Sequence, residues 1–86
     1  MVRKIKASNM GVELEFTIYD NRAYMKCNNA MIRNMFKEML KRKDAKAPES
    51  HGNYDVFEIA DGNEESICQE LSNDLKMGGF QVTDVE

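Results

Sequence analysis

One serine–histidine pair could in principle support nucleophilic catalysis: Ser50 directly precedes His51, the only histidine of the chain. A serine and an imidazole act as nucleophile and general base when the two lie within hydrogen-bond reach and a third group orients the base. Sequence neighbours rarely take up that geometry, and no third group can be identified. We therefore interpret His51 as a solvated loop histidine and expect no catalytic residue.

Metal ligands and phosphate-binding motifs are also missing from the sequence pattern. Cys27 and Cys68 lie far apart and match no zinc-ligand spacing, so we expect two reduced, buried thiols. The acidic stretch 61–65 lacks the spaced ligands and distal glutamate of a calcium-binding loop. Gly78 and Gly79 precede no helix and so form no phosphate loop. We expect neither a metal nor a cofactor.

Two carboxylates, Glu13 and Glu15, would stand about 7 Å apart along one face of a strand. Glycosidases use carboxylate pairs at similar separations. A chain of 86 residues leaves little room for a substrate cleft, so a solvated strand face explains the pair better. We expect a protein that is not an enzyme.

Composition indicates one small globular domain over residues 1–86, with 42% apolar residues and a single proline. No stretch approaches the roughly 18 apolar residues that cross a membrane, and the N-terminus shows no signal peptide. Together with the reduced cysteines, these features predict a soluble cytoplasmic protein.

The net charge of −3 hides an uneven distribution. Residues 1–43 hold ten basic and four acidic side chains, whereas residues 44–86 hold two basic and eleven acidic ones. Such a division indicates electrostatic steering toward a charged partner. Alternatively, the two halves face each other and partly cancel, and the sequence leaves both possibilities open.

Alternating apolar residues predict three N-terminal strands over 3–8, 12–19 and 23–27. A turn at Asp20-Asn21 would pair Phe16 with Met25 and place the apolar residues of both strands on one face. By the same reasoning, a turn at Asn9-Met10 would set Ala7 against Val12 and Ile5 against Leu14. We expect a three-stranded meander with one buried face.

Residues 28–43 give the clearest helix, capped by Asn28 or Asn29. Its apolar residues form two rows, Met31, Met35, Met39 and Ile32, Phe36, Leu40, and a third row is basic, Arg33, Lys37, Lys41. Two apolar rows cover close to half the circumference, more than contact with one sheet requires. The methionine row therefore either packs on the second helix or forms an exposed adaptable patch.

The second half contains a loop over 44–53, a strand over 54–60, a helix over 64–77 and a strand over 80–85. Asp61 or Asn63 caps that helix, and Gly78-Gly79 ends it. The order is βββαβαβ, which predicts an α+β fold: a mixed four- to five-stranded sheet with both helices packed on one face. The core between these layers would hold Val12, Leu14, Phe16, Ile18, Met25, Phe36, Leu40, Phe57, Ile59, Ile67, Leu71, Leu75, Phe80 and Val82.

These patterns favour a non-catalytic domain that binds another protein and is a monomer or a homodimer. One concrete hypothesis is a regulator or inhibitor of a nucleic-acid-handling protein, as phage-encoded anti-defence proteins are. The alternative is nucleic-acid binding through the basic helix row, which the sequence pI near 5.2 makes less attractive. The candidate partner-binding residues are Arg33, Lys37, Lys41, Met31, Met35, Met39, Glu64, Glu65, Glu70 and Asp74.

Overall fold

The computed structural model describes residues 2–42, 49–51, 54–59 and 62–85. Its elements, in chain order, are β1 (Arg3–Asn9), β2 (Val12–Tyr19), β3 (Arg22–Cys27), α1 (Ala30–Arg42), β4 (Glu49–His51), β5 (Tyr54–Glu58), α2 (Glu64–Met77) and β6 (Gln81–Val85). The strands form one sheet in the order β4-β5-β3-β2-β1-β6. Every pair of neighbouring strands is antiparallel.

The α+β class and the βββαβαβ order of the main elements are confirmed. The sheet differs from the expected mixed one because β5 pairs with β3 and β6 pairs with β1, at opposite sides of the meander. Among the described elements, no helix therefore connects two neighbouring parallel strands. Five strands have five or more residues, and three-residue β4 adds a sixth at the edge.

The expected loop over 44–53 is wrong for residues 49–51, which pair with β5. Three residues are too few to show a period of two, so the free edge of β5, rather than local pattern, decides their structure. The other residues of that range lie outside the described part of the chain.

The first hairpin has a different register from the one expected. The turn lies at Met10-Gly11, with φ of 47° and 85°, and it pairs Ala7 with Leu14 and Ile5 with Phe16. A two-residue hairpin turn with positive φ at both central positions favours glycine at those positions. The turn therefore includes Gly11 and lies one residue later in the sequence than expected. The pairing shifts by two residues, so the buried face is unchanged. The second hairpin, at Asp20-Asn21, is confirmed with its predicted pairing.

Both helices pack on the same face of the sheet, as predicted. The rings of Phe16 in β2 and Phe36 in α1 lie 5.8 Å apart and join the sheet to the first helix. Of the predicted core, Val12 is half-buried, and Phe80 and Val82 pack at the margin. Within the described part of the chain, the buried apolar cluster is Ile5, Ala7, Leu14, Phe16, Ile18, Ala23, Met25, Phe36, Leu40, Phe57, Ile59, Ile67, Cys68, Leu71 and Leu75.

Asparagine side chains fix the start of α1. The Asn29 side-chain oxygen accepts the Ile32 amide N–H at 3.1 Å and caps the helix. The Asn28 side chain accepts the Glu13 N–H at 2.8 Å and donates to the Gly11 carbonyl at 3.0 Å. The N-terminus of α1 is therefore tied to the β1–β2 turn.

Glycines end α2, as the sequence predicted. Gly79, with φ of 86°, donates its N–H to the Lys76 carbonyl at 3.1 Å. At the other end, Asn63 occupies the cap position without a side-chain hydrogen bond to the helix. The alternative cap, Asp61, lies outside the described residues.

Candidate binding surfaces

The basic row of α1 is largely engaged inside the molecule. Arg33 Nε donates to Asp55 Oδ2, and Lys37 Nζ lies 3.7 Å from Asp55 Oδ1. The Asp55 side chain is fully buried, whereas those of Arg33 and Lys37 are 27% and 26% exposed. The hydrogen bond to Asp55 raises the pKa of Arg33 above its ordinary value. The third member, Lys41, contacts Glu38 at 3.3 Å.

Asp55 is the ionisable residue that the candidate list omitted. It pairs with Met25 in the sheet register, and that position faces the helices. A signal was present, because the alternation of the strand places Asp55 on the same face as Phe57 and Ile59. A buried aspartate requires compensating charges, and α1 supplies two.

The methionine row divides along α1. Met31 and Met35 are 80% and 50% exposed, whereas Met39 is half-buried and packs against the core. The row therefore provides one core residue and two surface residues.

The predicted acidic residues of α2 divide into two sites. Glu64 accepts the Asn21 N–H, and Glu65 pairs with Arg3 at 2.7 Å, so both connect α2 to the sheet. Glu70 and Asp74 instead line a cleft of about 590 Å³ between the helices, together with Met39, Arg42, Asn63, Ser66 and Ile67. The predicted site residues thus do not form one continuous surface.

The sheet face opposite the helices carries all three tyrosines of the chain: Tyr19, Tyr24 and Tyr54. We call it the tyrosine face. One cross-strand row places half-buried Thr17, Tyr24 and Val56 side by side at its centre. Its neighbouring rows are charged and contain Lys6, Glu15 and Lys26 on one side and Arg22 and Glu58 on the other.

Ring contacts hold the tyrosines in place. Tyr19 and Tyr24 stack with centroids 5.1 Å apart and planes inclined by 13°. The Lys26 ammonium lies 5.7 Å from the centre of the Tyr54 ring. Sequence alternation placed Tyr19 on the exposed face of its strand, and the predicted β2–β3 hairpin sets Tyr24 on the same face. Tyr54 joins that face only because β5 pairs with β3.

The stacked pair shares a hydrogen bond that alters both hydroxyls. The bond to Tyr24 raises the pKa of Tyr19 above its ordinary value. Conversely, the bond from Tyr19, followed by one from Arg22, lowers the pKa of Tyr24. These directions correspond to a bond in which the Tyr19 hydroxyl donates and the Tyr24 oxygen accepts.

The described residues contain no group of three or more His, Cys, Asp or Glu side chains arranged to hold a metal ion. Within the same residues, no helix has the length and apolar character to span a bilayer. Cys27 and Cys68 are both free thiols, the first half-buried and the second buried. Comparison with known proteins finds no matching family model, no significantly similar curated protein and no significantly similar solved structure.

Proposed function

We propose that this protein is a non-catalytic protein-binding domain that contacts its partner through the tyrosine face. The supporting observation is the position of both helices on the opposite side of the sheet, which leaves this face uncovered among the described residues. Its uncharged centre and charged border match the arrangement of specific protein interfaces, in which tyrosine and arginine are enriched.

Replacing Tyr24 with serine tests this proposal. The variant removes the central ring of the face, and we expect the partner Kd to rise by about thirtyfold, equivalent to about 2 kcal/mol. The partner is first isolated by affinity capture with the wild-type chain, and its Kd is then measured by biolayer interferometry. Circular dichroism confirms that the variant is folded.

Met35→Ser is the matched control, because Met35 is half-exposed on α1, away from the tyrosine face. It should leave the Kd within about twofold of wild type. Loss of binding in the Met35 variant with retention in the Tyr24 variant would reject the tyrosine face and favour the methionine row of α1.

The narrower hypothesis, inhibition of a nucleic-acid-handling protein, depends on the acidic side chains of α2. Glu70 is an exposed member of that set. Glu70→Lys together with Glu65→Lys should abolish partner capture if the acids imitate a nucleic-acid backbone. Unchanged capture would reject this version while leaving protein binding through the tyrosine face intact.

Nucleic-acid binding by the basic row of α1 receives less support, because Asp55 already compensates Arg33 and Lys37. Fluorescence anisotropy with labelled single-stranded and double-stranded oligonucleotides distinguishes this alternative. Binding at low salt that weakens steeply as salt is added would favour it over a protein partner.

A further inference from the structure

The three most exposed large apolar side chains among the described residues are all methionines. Met10 is 98% exposed, Met77 is 87% exposed and Met31 is 80% exposed. They belong to three separate elements: the β1–β2 turn, the end of α2 and the first turn of α1. Their exposure therefore has no single local cause.

Contacts of neighbouring residues place the three elements at one end of the molecule. The Asn28 side chain bonds to Gly11 and Glu13, which brings the start of α1 to the β1–β2 turn. At the end of α2, a side chain on Gly79 would lie 3.7 Å from the Asn9 amide nitrogen, next to the same turn. The turn, the start of α1 and the end of α2 thus lie at the same end of the molecule, and we call this end the methionine pole.

Met10 contradicts two local preferences at once. It takes a φ of 47° in a hairpin turn, where asparagine, aspartate or glycine is favoured. The second hairpin follows that rule, with Asp20 and Asn21 at its two positive-φ positions. Met10 also exposes nearly all of its apolar side chain. Residues that break local rules without local compensation are typical of functional positions.

We propose that the methionine pole is a docking surface for a protein partner that presents an apolar, uncharged pocket. Flexible thioether side chains adapt to irregular apolar surfaces and are common at protein interfaces. The surrounding side chains include the neutral amides Asn9, Asn28, Asn29 and Gln81. Two flanking charges, Glu13 and Lys76, have opposite signs, and Arg33 of the first turn of α1 pairs with Asp55. The described residues of the pole therefore contain no uncompensated basic cluster to attract a phosphate backbone or an anionic lipid.

The methionine pole and the tyrosine face are separate surfaces, so the proposal does not depend on the proposed function. A random-peptide library displayed on phage serves as the probe. We expect it to yield uncharged, apolar peptides that bind the full chain. Their contact site is mapped from the methyl signals of methionines labelled with carbon-13. Met10, Met31 and Met77 should shift, whereas fully buried Met25 should not.

Met10→Asn provides a decisive variant because its two effects have opposite directions. Asparagine suits the turn, so the melting temperature should rise by several degrees. Loss of the exposed side chain should weaken peptide binding by about tenfold or more. Val2→Asn removes an exposed apolar side chain at the opposite end of the sheet and should leave binding unchanged.

Three outcomes would overturn the proposal. One is a library that yields no binding peptide or only strongly charged peptides. Another is a bound peptide that shifts Met35 or the tyrosine signals while Met10, Met31 and Met77 stay in place. The third is a concentration-dependent dimer in analytical ultracentrifugation that Met10→Asn abolishes, since the occupant would then be a second copy of the chain.

Discussion

The ion pairs of Asp55 predict an unequal effect of removing either partner. Arg33→Met should destabilise the fold more than Asp55→Asn, although both eliminate the Arg33–Asp55 ion pair. The asymmetry follows from exposure: the Asp55 side chain is fully buried, whereas that of Arg33 is 27% exposed and that of Lys37 is 26% exposed. A cation left without its carboxylate can turn toward water, but the carboxylate cannot.

The magnitude follows from the same geometry. At 3.7 Å and an effective dielectric constant near 20, the attraction between Lys37 and Asp55 is about 4.5 kcal/mol before desolvation is subtracted. Removing one partner of a buried pair typically costs about 3–5 kcal/mol. We expect about 3 kcal/mol for Arg33→Met, in which Lys37 still compensates Asp55. Asp55→Asn keeps a similar shape and an acceptor for Arg33, so we expect about 1–2 kcal/mol.

Urea denaturation followed by circular dichroism measures both free energies of unfolding. The double variant Arg33→Met/Asp55→Asn should be more stable than Arg33→Met alone, because no buried carboxylate is then left with too little compensation. The reasoning fails if Asp55→Asn proves the more damaging single change. The reasoning also fails if Arg33→Met lowers the free energy of unfolding by less than about 1 kcal/mol. That result would show that other groups compensate the Asp55 carboxylate.

Three further predictions concern other parts of the chain. Titration followed by phenolate absorbance should show Tyr24 ionising at lower pH than Tyr19, because the fold lowers the pKa of Tyr24 and raises the pKa of Tyr19. Tyr24→Phe should remove the ionisation at lower pH. An unchanged titration curve would contradict the hydrogen bond between the two hydroxyls. Gly79→Ala should destabilise the fold by about 1 kcal/mol at φ of 86°, whereas Gly78→Ala, at φ of −80°, should change unfolding little. Partner Kd should change only a few-fold between low and high salt, because exposed basic residues at the proposed surfaces are few or balanced by acids; a steep dependence would favour nucleic acid.

Local pattern was sufficient for every described element except β4 and for most of the core. The alternation of β2 and the apolar rows of α1 depend on periods of 2 and 3.6, which a sequence displays directly. Glycine at the end of α2 and asparagine at the start of α1 follow from backbone preferences that also need no tertiary information. Each of these features depends only on residues that lie a few positions apart in the sequence.

The missed features depend on contacts between distant segments. Strand β4 forms because β5 offers a free edge, and Tyr54 joins the tyrosine face because β5 pairs with β3. Asp55 shows a different limit. The alternation of β5 puts Asp55 on the buried face of the sheet. Sequence reasoning nevertheless assigns a charged side chain to solvent, because it does not show that Arg33 and Lys37 of α1 lie against that face.

The charge asymmetry of the sequence is partly cancelled in three dimensions. Asp55 pairs with Arg33 and Lys37, and Glu65 pairs with Arg3, so in both cases an acid of the second half compensates bases of the first. The pairs join α1 to β5 and β1 to α2, which makes the two halves hold each other in place. Charge therefore helps to assemble the domain, and the two surfaces that we propose for binding are uncharged at their centres: tyrosines on one side of the sheet and methionines at one end. Recognition through such surfaces depends on shape and apolar contact, which favours a protein partner over a polyanion.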